Sequence, residues 1–506
     1  MLAFCNLIKA VSSCKLRGSY SAFLGLLSVI YLFPAASAQH IYIDPRAEAR
    51  LSATDNANLT ETDKLSDGVL NTAIGLNARI DGNRLNVAVD YSLDHFVFFS
   101  DGGTDYRQNL FGTLDAEVWE DHFTVNGRAS LRQQFLDQTS SLSGSAANRT
   151  TNRRLVQEYT GTGIFRAGLR DFADARLTYR IGLTRSPADN LLDDTLPVNF
   201  SDSTSHEISA SIDSGERFRL FQWRLFADST RVLRSLDVND FRKERAGGEL
   251  TVKFNRFIQV TGNLNVSSND LQSAVLSEDG FGWEAGFRLT PGPKTDLSVS
   301  FGKEGARAIW YASLQHFFTI RFDFTGSYTD TISANTIVSN DKLNSLRFNG
   351  ESGIENGAGL PIDETDPNFS FSDTDFRRRA AVGTFTLRQK RTTSYLTGNS
   401  EWRTFDDGTG TGRSWGVSIG TDHKINEKSS ISARLSYRQS LFDNGVVVDT
   451  LSSRVDDFIV GNLSWAKTVS KYLRIALSYD HSQRFSNVDG QDLEENVLTF
   501  YIRGTF

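Results

Sequence analysis

The sequence predicts an all-β protein, a transmembrane antiparallel barrel of about 22 strands, between roughly 18 and 24. Three observations predict it. Apolar and polar residues alternate with period two in segments running from one end of the chain to the other. Side chains alternate across a strand, so each segment has one apolar and one polar face. The connections between segments alternate short and long, as barrel turns and outer loops do. The last segment ends on an aromatic residue, Phe506.

Composition narrows the alternatives. The chain has 506 residues, of which 39% are hydrophobic, with 40 Gly and only 8 Pro. Beyond residue 38 there is no run of about 18 apolar residues, so a helical membrane bundle is excluded. The 36 Phe, 14 Tyr and 7 Trp argue against long disorder. Asp and Glu outnumber Lys and Arg by 61 to 54, which does not suit a nucleic-acid partner.

Residues 1–38 read as a signal peptide. Lys9, Lys15 and Arg17 form a positive start without acids, and Ala22 to Phe33 form a short apolar core. Ala36-Ser37-Ala38 is a small-x-small cleavage site, which places the mature barrel at 39–506 and export through the Sec pathway. Both cysteines, Cys5 and Cys14, lie in this leader. The mature chain therefore has no disulfide, no thiolate metal site and no cysteine for a lipid anchor.

The segments follow in order. They fall at 46–54, 69–80, 84–98, 108–119, 122–136, 155–168, 174–185 and 205–213. The next are 219–229, 242–254, 257–268, 281–290, 295–303, 306–316 and 318–331. After a long linker come 380–389, 391–402, 413–424, 429–441, 457–467, 472–484 and 495–506. In 84–94, for example, Leu85, Val87, Val89, Tyr91 and Leu93 oppose Arg84, Asn86, Asp90, Ser92 and Asp94. Such segments match the roughly 9–11 residues with which a tilted strand crosses a bilayer. Pro187, Pro197, Pro291, Pro293, Pro361 and Pro367 all fall between segments, because a closed ladder cannot spare the N–H. Phe96, Phe98, Phe99, Trp119, Trp310, Tyr311, Trp402, Trp415 and Trp465 lie near segment ends, where interfacial girdles are expected. A secreted sandwich or solenoid shares the alternation; segment length, girdle aromatics and the chain end favour the barrel. In the final segment Leu498, Phe500, Ile502 and Phe506 share a face and resemble the signal read by the barrel-assembly machinery.

Two stretches carry a family resemblance. Residues 51–59 read Leu-Ser-Ala-Thr-Asp-Asn-Ala-Asn-Leu, and residues 283–328 run from Trp283 through Pro291-x-Pro293-Lys294-Thr295 and Phe301-Gly302-Lys303 to Ser327-Tyr328. With these the chain resembles the outer-membrane proteins associated with the PEP-CTERM/exosortase system, which accompany exopolysaccharide synthesis and export in Gram-negative bacteria. It departs from them after Phe301, where the chain is rich in glycine. The resemblance implies a part in envelope polysaccharide traffic, with periplasmic polysaccharide-export components as partners and no catalytic residues to transfer.

With apolar faces toward lipid and lipopolysaccharide, the inward charges can be assigned. One arc, through the seam between last and first strands, carries Arg79, Arg84, Arg128, Arg132, Arg176, Arg180, Arg434, Arg438, Arg474 and Arg503. The opposite arc is richer in acids, including Glu207, Asp213, Asp228, Glu249, Glu284, Asp296, Asp323 and Asp422. Opposed walls of this kind would set up a transverse field; the alternative is that these charges pair across strands and stabilise a wet wall. The longest linker, 332–379, is acidic through Asp341, Glu351, Glu355, Asp363, Glu364, Asp366, Asp373 and Asp375. A barrel of about 22 strands needs a plug, and few residues separate the cleavage site from the first segment. The linker is therefore expected to fold inward as plug or lid, the alternative being a loop that stays outside.

No chemistry of an enzyme stands out. His40, His95, His122, His206, His316, His423 and His481 are scattered without metal-ligand spacing. Asp480-His481-Ser482 offers triad residue types, but neighbours in a strand point to opposite faces. No phosphate loop or dinucleotide fingerprint is present. The expectation is a non-enzymatic outer-membrane channel without cofactor or metal, a passive conduit for exopolysaccharide. Two alternatives stand beside it: a general or substrate-selective porin, and a non-conducting barrel that displays loops.

Overall fold

The computed structural model describes residues 40–135, 142–150, 152–186, 201–235, 240–271, 276, 279–305, 307–349, 353–355, 374–406, 410–444 and 453–506. Residues 1–38, expected to be a signal peptide, and the acids Glu351, Asp363, Glu364, Asp366 and Asp373 lie outside the described residues. The strands are β1 (His40–Thr54), β2 (Asp67–Asp81), β3 (Leu85–Phe98), β4 (Thr104–Trp119), β5 (Phe123–Phe135), β6 (Arg153–Leu169), β7 (Ala173–Arg185) and β8 (Ser203–Ser214). Next come β9 (Phe221–Arg234), β10 (Phe241–Lys253), β11 (Ile258–Asn269), β12 (Gly280–Gly292), β13 (Thr295–Glu304), β14 (Arg307–Thr319) and β15 (Phe322–Ser333). A helix, α1 (Asn335–Ser345), and a small hairpin, β16 (Arg347–Asn349) with β17 (Gly353–Glu355), follow. The chain ends with β18 (Phe376–Arg388), β19 (Thr392–Phe405), β20 (Gly410–Asn426), β21 (Ser429–Asn444), β22 (Arg454–Ser470), β23 (Leu473–Ser486) and β24 (Leu493–Thr505).

All strands except β16 and β17 form one 22-stranded antiparallel sheet in chain order. It closes where β24 pairs with β1, from Arg46 opposite Thr505 to Thr54 opposite Val497. Each segment expected from the alternation corresponds to one of these strands. No described helix is long and apolar enough to cross a membrane. Closure matters energetically because it leaves no sheet edge with unpaired N–H and C=O groups.

Register assigns the faces. Residues directly opposite share a face, so Ile74 of β2 and Leu93 of β3 point the same way. This face is the outer one: Ile74, Leu264 and Leu463 are 61%, 58% and 53% exposed. Large apolar side chains line the outside on nearly every strand, an extent that a water-facing surface does not sustain. Polar residues take the inner face.

Several expectations need correction. β1 begins at His40, not at residue 46. Pro45 lies inside it, where β1 is paired with β2 but not yet with β24, so no partner on that side needs its N–H. Pro291 lies within β12, beside the irregularity between Leu289 and Gly292. Three supposed girdle aromatics face inward. Phe96 and Phe98 are buried inside the barrel, and Tyr311 is opposite Ser300 on the inner face. Phe99, Trp119 and Trp310 are exposed as a girdle requires.

The connections differ in charge. The ten turns at one end carry eleven Lys and Arg against five Asp and Glu. The eleven loops at the other end carry four Lys and Arg against 27 Asp and Glu.

Candidate functional site

Burial along the inner face separates the lumen into two halves. On β11 the inward residues Gln259 and Thr261, near the turns, are half-buried, whereas Asn263, Asn265, Ser267 and Asn269, toward the loops, are buried. Something fills the loop half, and it is the chain's own loops.

The helix α1 crosses this half. At its start Asn335 Oδ1 accepts a hydrogen bond from Arg403 Nη1 of β19 at 2.8 Å. At its end Leu343 packs with Phe111 of β4 and with Leu346. Those strands lie on nearly opposite sides of the ring. Between the ends, the helix lies on the inner faces of β6 to β8. Asn340 Nδ2 donates to Ser205 Oγ at 2.7 Å, and Thr160 Oγ1 donates to Asn344 Oδ1 at 2.7 Å. Ser203 and Thr336 share a hydroxyl bond of 2.7 Å, and Ser339 donates to Glu158. Gly182 makes the approach possible, since a Cβ there would lie 2.1 Å from Asn340 Nδ2 and 2.5 Å from Ser205 Oγ. The interface is polar, so each contact contributes a net of only about 0.5–1.5 kcal/mol.

Residues 142–149 fill the adjoining sector. Gly144 N donates to Ser482 Oγ on β23 at 3.0 Å, and Ser143 donates to Glu495 on β24. Ala147 packs with Val69, Phe96, Phe98 and Val497. Arg107 holds the loop from β4 through the carbonyls of Ala146 and Asn148 at 2.8 and 3.2 Å. Arg149 stacks 4.3 Å over Phe98 and pairs with Asp101 at 2.5 Å and Asp67 at 3.0 Å. The Arg149 hydrogen bonds hold the Asp101 carboxyl below its ordinary range and raise the guanidinium in turn. A third sector is apolar: Leu276, Ile332 and Ala334 pack on Val232 and Phe241.

The Thr54-Asp55-Asn56 motif staples the seam. Asn496 donates to Asp55 through its backbone N at 2.7 Å and through Nδ2 at 2.8 Å. Asn56 Nδ2 donates to the Glu494 carbonyl at 2.9 Å.

The arginines of the expected basic arc are largely paired. Arg79 meets Asp81 at 2.9 Å, Arg128 meets Asp115 at 3.0 Å and Arg503 meets Glu48 at 2.7 Å. Arg84 pairs with Glu120, Arg132 with Glu158 at 4.0 Å and Arg434 with Asp422 at 3.6 Å. Arg180 takes Glu207 through Nε at 2.8 Å and Asp341 of α1 at 2.7 Å. Arg438 lies over the Phe458 ring. Arg176 and Arg474 make no ion pair among the described residues. Of the acidic linker, Asp375 pairs with Arg234 at 2.6 Å, and Glu355 lies in β17. Leu498, Phe500, Ile502 and Phe506 are exposed on the outer face. A Cβ on Gly504 would lie 3.3 Å from the Phe506 ring, which explains the missing bulky residue there.

The sequence assignment missed charges that the structure brings inside. Glu48 of β1 is 6% exposed and meets Arg46 at 3.2 Å and Arg50 at 2.7 Å besides Arg503. The acid-rich arc holds Arg234, Arg245, Arg307, Arg378 and Arg403, each beside a carboxylate. The two walls therefore differ less in charge than the segment assignment implies. Asp480 bonds Asn462 on the inner face, while His481 bonds Asn496 on the outer one.

No family model and no curated protein matches this chain. Among solved structures it is similar to the siderophore receptor PirA of Acinetobacter baumannii, with 10% identity, a TM-score of 0.48, and 92% of this chain and 80% of that one covered. It is also similar to a mutant ferric enterobactin receptor, PfeA, of Pseudomonas aeruginosa, with 12% identity, a TM-score of 0.45 and coverage of 91% and 81%. OccK3 (OpdO) of Pseudomonas aeruginosa has 11% identity, a TM-score of 0.31 and coverage of 92% and 96%.

Proposed function

We propose that the protein is a channel of the Gram-negative outer membrane whose loops form a displaceable plug, and that it conducts a hydroxyl-rich polymer, the exopolysaccharide implied by the resemblance, out of the cell. In this reading the chain is exported through the Sec pathway, folded by the barrel-assembly machinery on its terminal aromatic strand, and seated in lipid and lipopolysaccharide. Periplasmic polysaccharide-export components deliver the polymer to the turn end. It is a passive conduit and not an enzyme.

One observation carries the reading: the turn half of a 22-stranded lumen is open and polar, and the loop half is closed by contacts that are themselves mostly polar. A wall of serine, threonine and paired charges exchanges hydrogen bonds with a hydroxylic polymer at little net cost. Polar plug contacts exchange with the same groups, so a threading polymer can displace α1. A selective porin is the second reading, favoured by the acidic loops, which concentrate cations at their mouth.

The test is polysaccharide measured in the periplasm and at the surface of a deletion strain and its complement. Periplasmic accumulation with surface loss is expected. An unchanged distribution, with a growth defect on particular solutes, would replace export by uptake. Removal of 340–370 raises single-channel conductance if this stretch plugs the pore. Unchanged conductance and antibiotic sensitivity would refute the plug.

A further inference from the structure

The turn end of the barrel carries a crescent of cations without ion-pair partners among the described residues. From the 215–220 turn round to the 471–472 turn, seven connections hold nine Lys and Arg against two Glu. None of the nine forms an ion pair among the described residues. The lumen-facing arginines, by contrast, are largely paired within the fold, so these cations are arranged toward something outside the chain.

Their neighbours indicate what. In four of these turns a cation stands next to an exposed apolar or aromatic side chain. Arg219 precedes Leu220, 61% exposed; Arg321 follows Ile320, 94% exposed. Arg256 lies between Phe254, 68% exposed, and Phe257, whose ring it covers at 4.5 Å. Lys471 lies 4.6 Å over Tyr472. A soluble acidic partner would satisfy the cations but leave water against Ile320 and Phe254. A headgroup layer satisfies both, with phosphate for the cation and glycerol and acyl carbon for its neighbour. Turns this short also keep the cations at the level where the apolar outer face of the strands ends.

We propose that this crescent is a binding surface for anionic phospholipid, which seats the turn end of the barrel in a leaflet containing negatively charged headgroups. The proposal rests on the membrane reading above. The turns β2/β3, β4/β5 and β6/β7 hold two cations and three acids, so the preference is confined to one side of the rim.

The test uses the full barrel in vesicles of phosphatidylcholine alone or mixed with phosphatidylglycerol. Lipid retained after mild detergent extraction is counted by native mass spectrometry. Phosphatidylglycerol is expected to be retained roughly tenfold over phosphatidylcholine, with the preference lost at high salt. Replacing Arg219, Arg256, Arg321 and Lys471 together by Gln should abolish that preference while the barrel still inserts, because none of the four forms an ion pair among the described residues. Equal retention of the two lipids by the inserted native protein would overturn the proposal alone. So would a preference that survives the fourfold variant, or binding of soluble polyglutamate in its place. Failure to insert into either vesicle would overturn the membrane reading and this proposal together.

Discussion

At the scale of single residues, the plug depends on close polar fits with little redundancy. Asn340 is fully buried and its Nδ2 is held by Ser205. Asn340→Ala removes that bond and costs about 1 kcal/mol of docking, which is about a fivefold increase in the undocked fraction of α1. More frequent open events in single-channel records are expected, with an unchanged unfolding temperature of the barrel. Gly182→Val acts from the other side, because its Cβ would overlap the Asn340 amide; it should give the same phenotype more strongly. The Asp101–Arg149 pair adds a pH dependence. The folded Asp101 carboxyl lies below its ordinary range, so its contribution to loop docking is present above the unfolded value, about 3.9. It is lost as the pH falls through the folded value. Conductance should stay constant from neutral pH down to that window and rise below it, and Asp101→Asn should remove the step.

At the scale of elements, the seam is the place to ask what closes the barrel. Glu48 on β1 lies among Arg46, Arg50 and Arg503, the last of them on β24. Arg46 and Arg50 keep Asp90 and Asp94 when Glu48 is removed, whereas Arg503 loses its only carboxylate among the described residues. Glu48→Ala should therefore destabilise the barrel by about 3 kcal/mol, the low end for a broken buried pair because Arg503 is partly solvated. The check is urea unfolding in micelles; Glu48→Gln should cost less. The same strand shows where sequence reading stops. Alternation located each barrel strand because lipid and water select opposite faces everywhere along the chain. On β1, however, the segment read from the sequence begins only at residue 46, which leaves out the outward Ile41 and Ile43, and the outward Ala47, Ala49 and Ala53 within it are weakly apolar, so this strand's inward charges, Glu48 among them, stay unassigned. The plug is assembled by contacts between residues far apart in sequence, such as Ser339 with Glu158, which periodicity does not encode. One signal was present. Phe96, Phe98 and Phe111 sit on the polar face of their strands, at the loop end. An aromatic residue on a water-facing wall calls for a cover, and residues 147 and 343 supply it.

At the scale of the whole molecule, charge is distributed along the barrel axis more than across it. The loops hold 27 acids to four bases and the turns eleven bases to five acids, while the wall between them is largely paired. The loop connections carry a large net negative charge in sequence, and low-dielectric walls focus such a field into the narrowed half. The open channel should therefore favour potassium over chloride, by roughly threefold or more in dilute salt. The sign of the reversal potential in a potassium chloride gradient measures this directly. Selectivity should fade toward 1 M salt, where the Debye length shrinks to about 3 Å. Anion preference at low salt would mean that the unpaired cations at the turn rim, and not the loop acids, control permeation. The sign also constrains the cargo. A polyanionic polymer is drawn to the turn end and then opposed by the loops at the exit, whereas an uncharged hydroxylic polymer feels neither. Cation selectivity together with polymer export would therefore identify the exported chain as neutral, and sugar analysis of the surface polysaccharide lost on deletion should find few or no uronic acids.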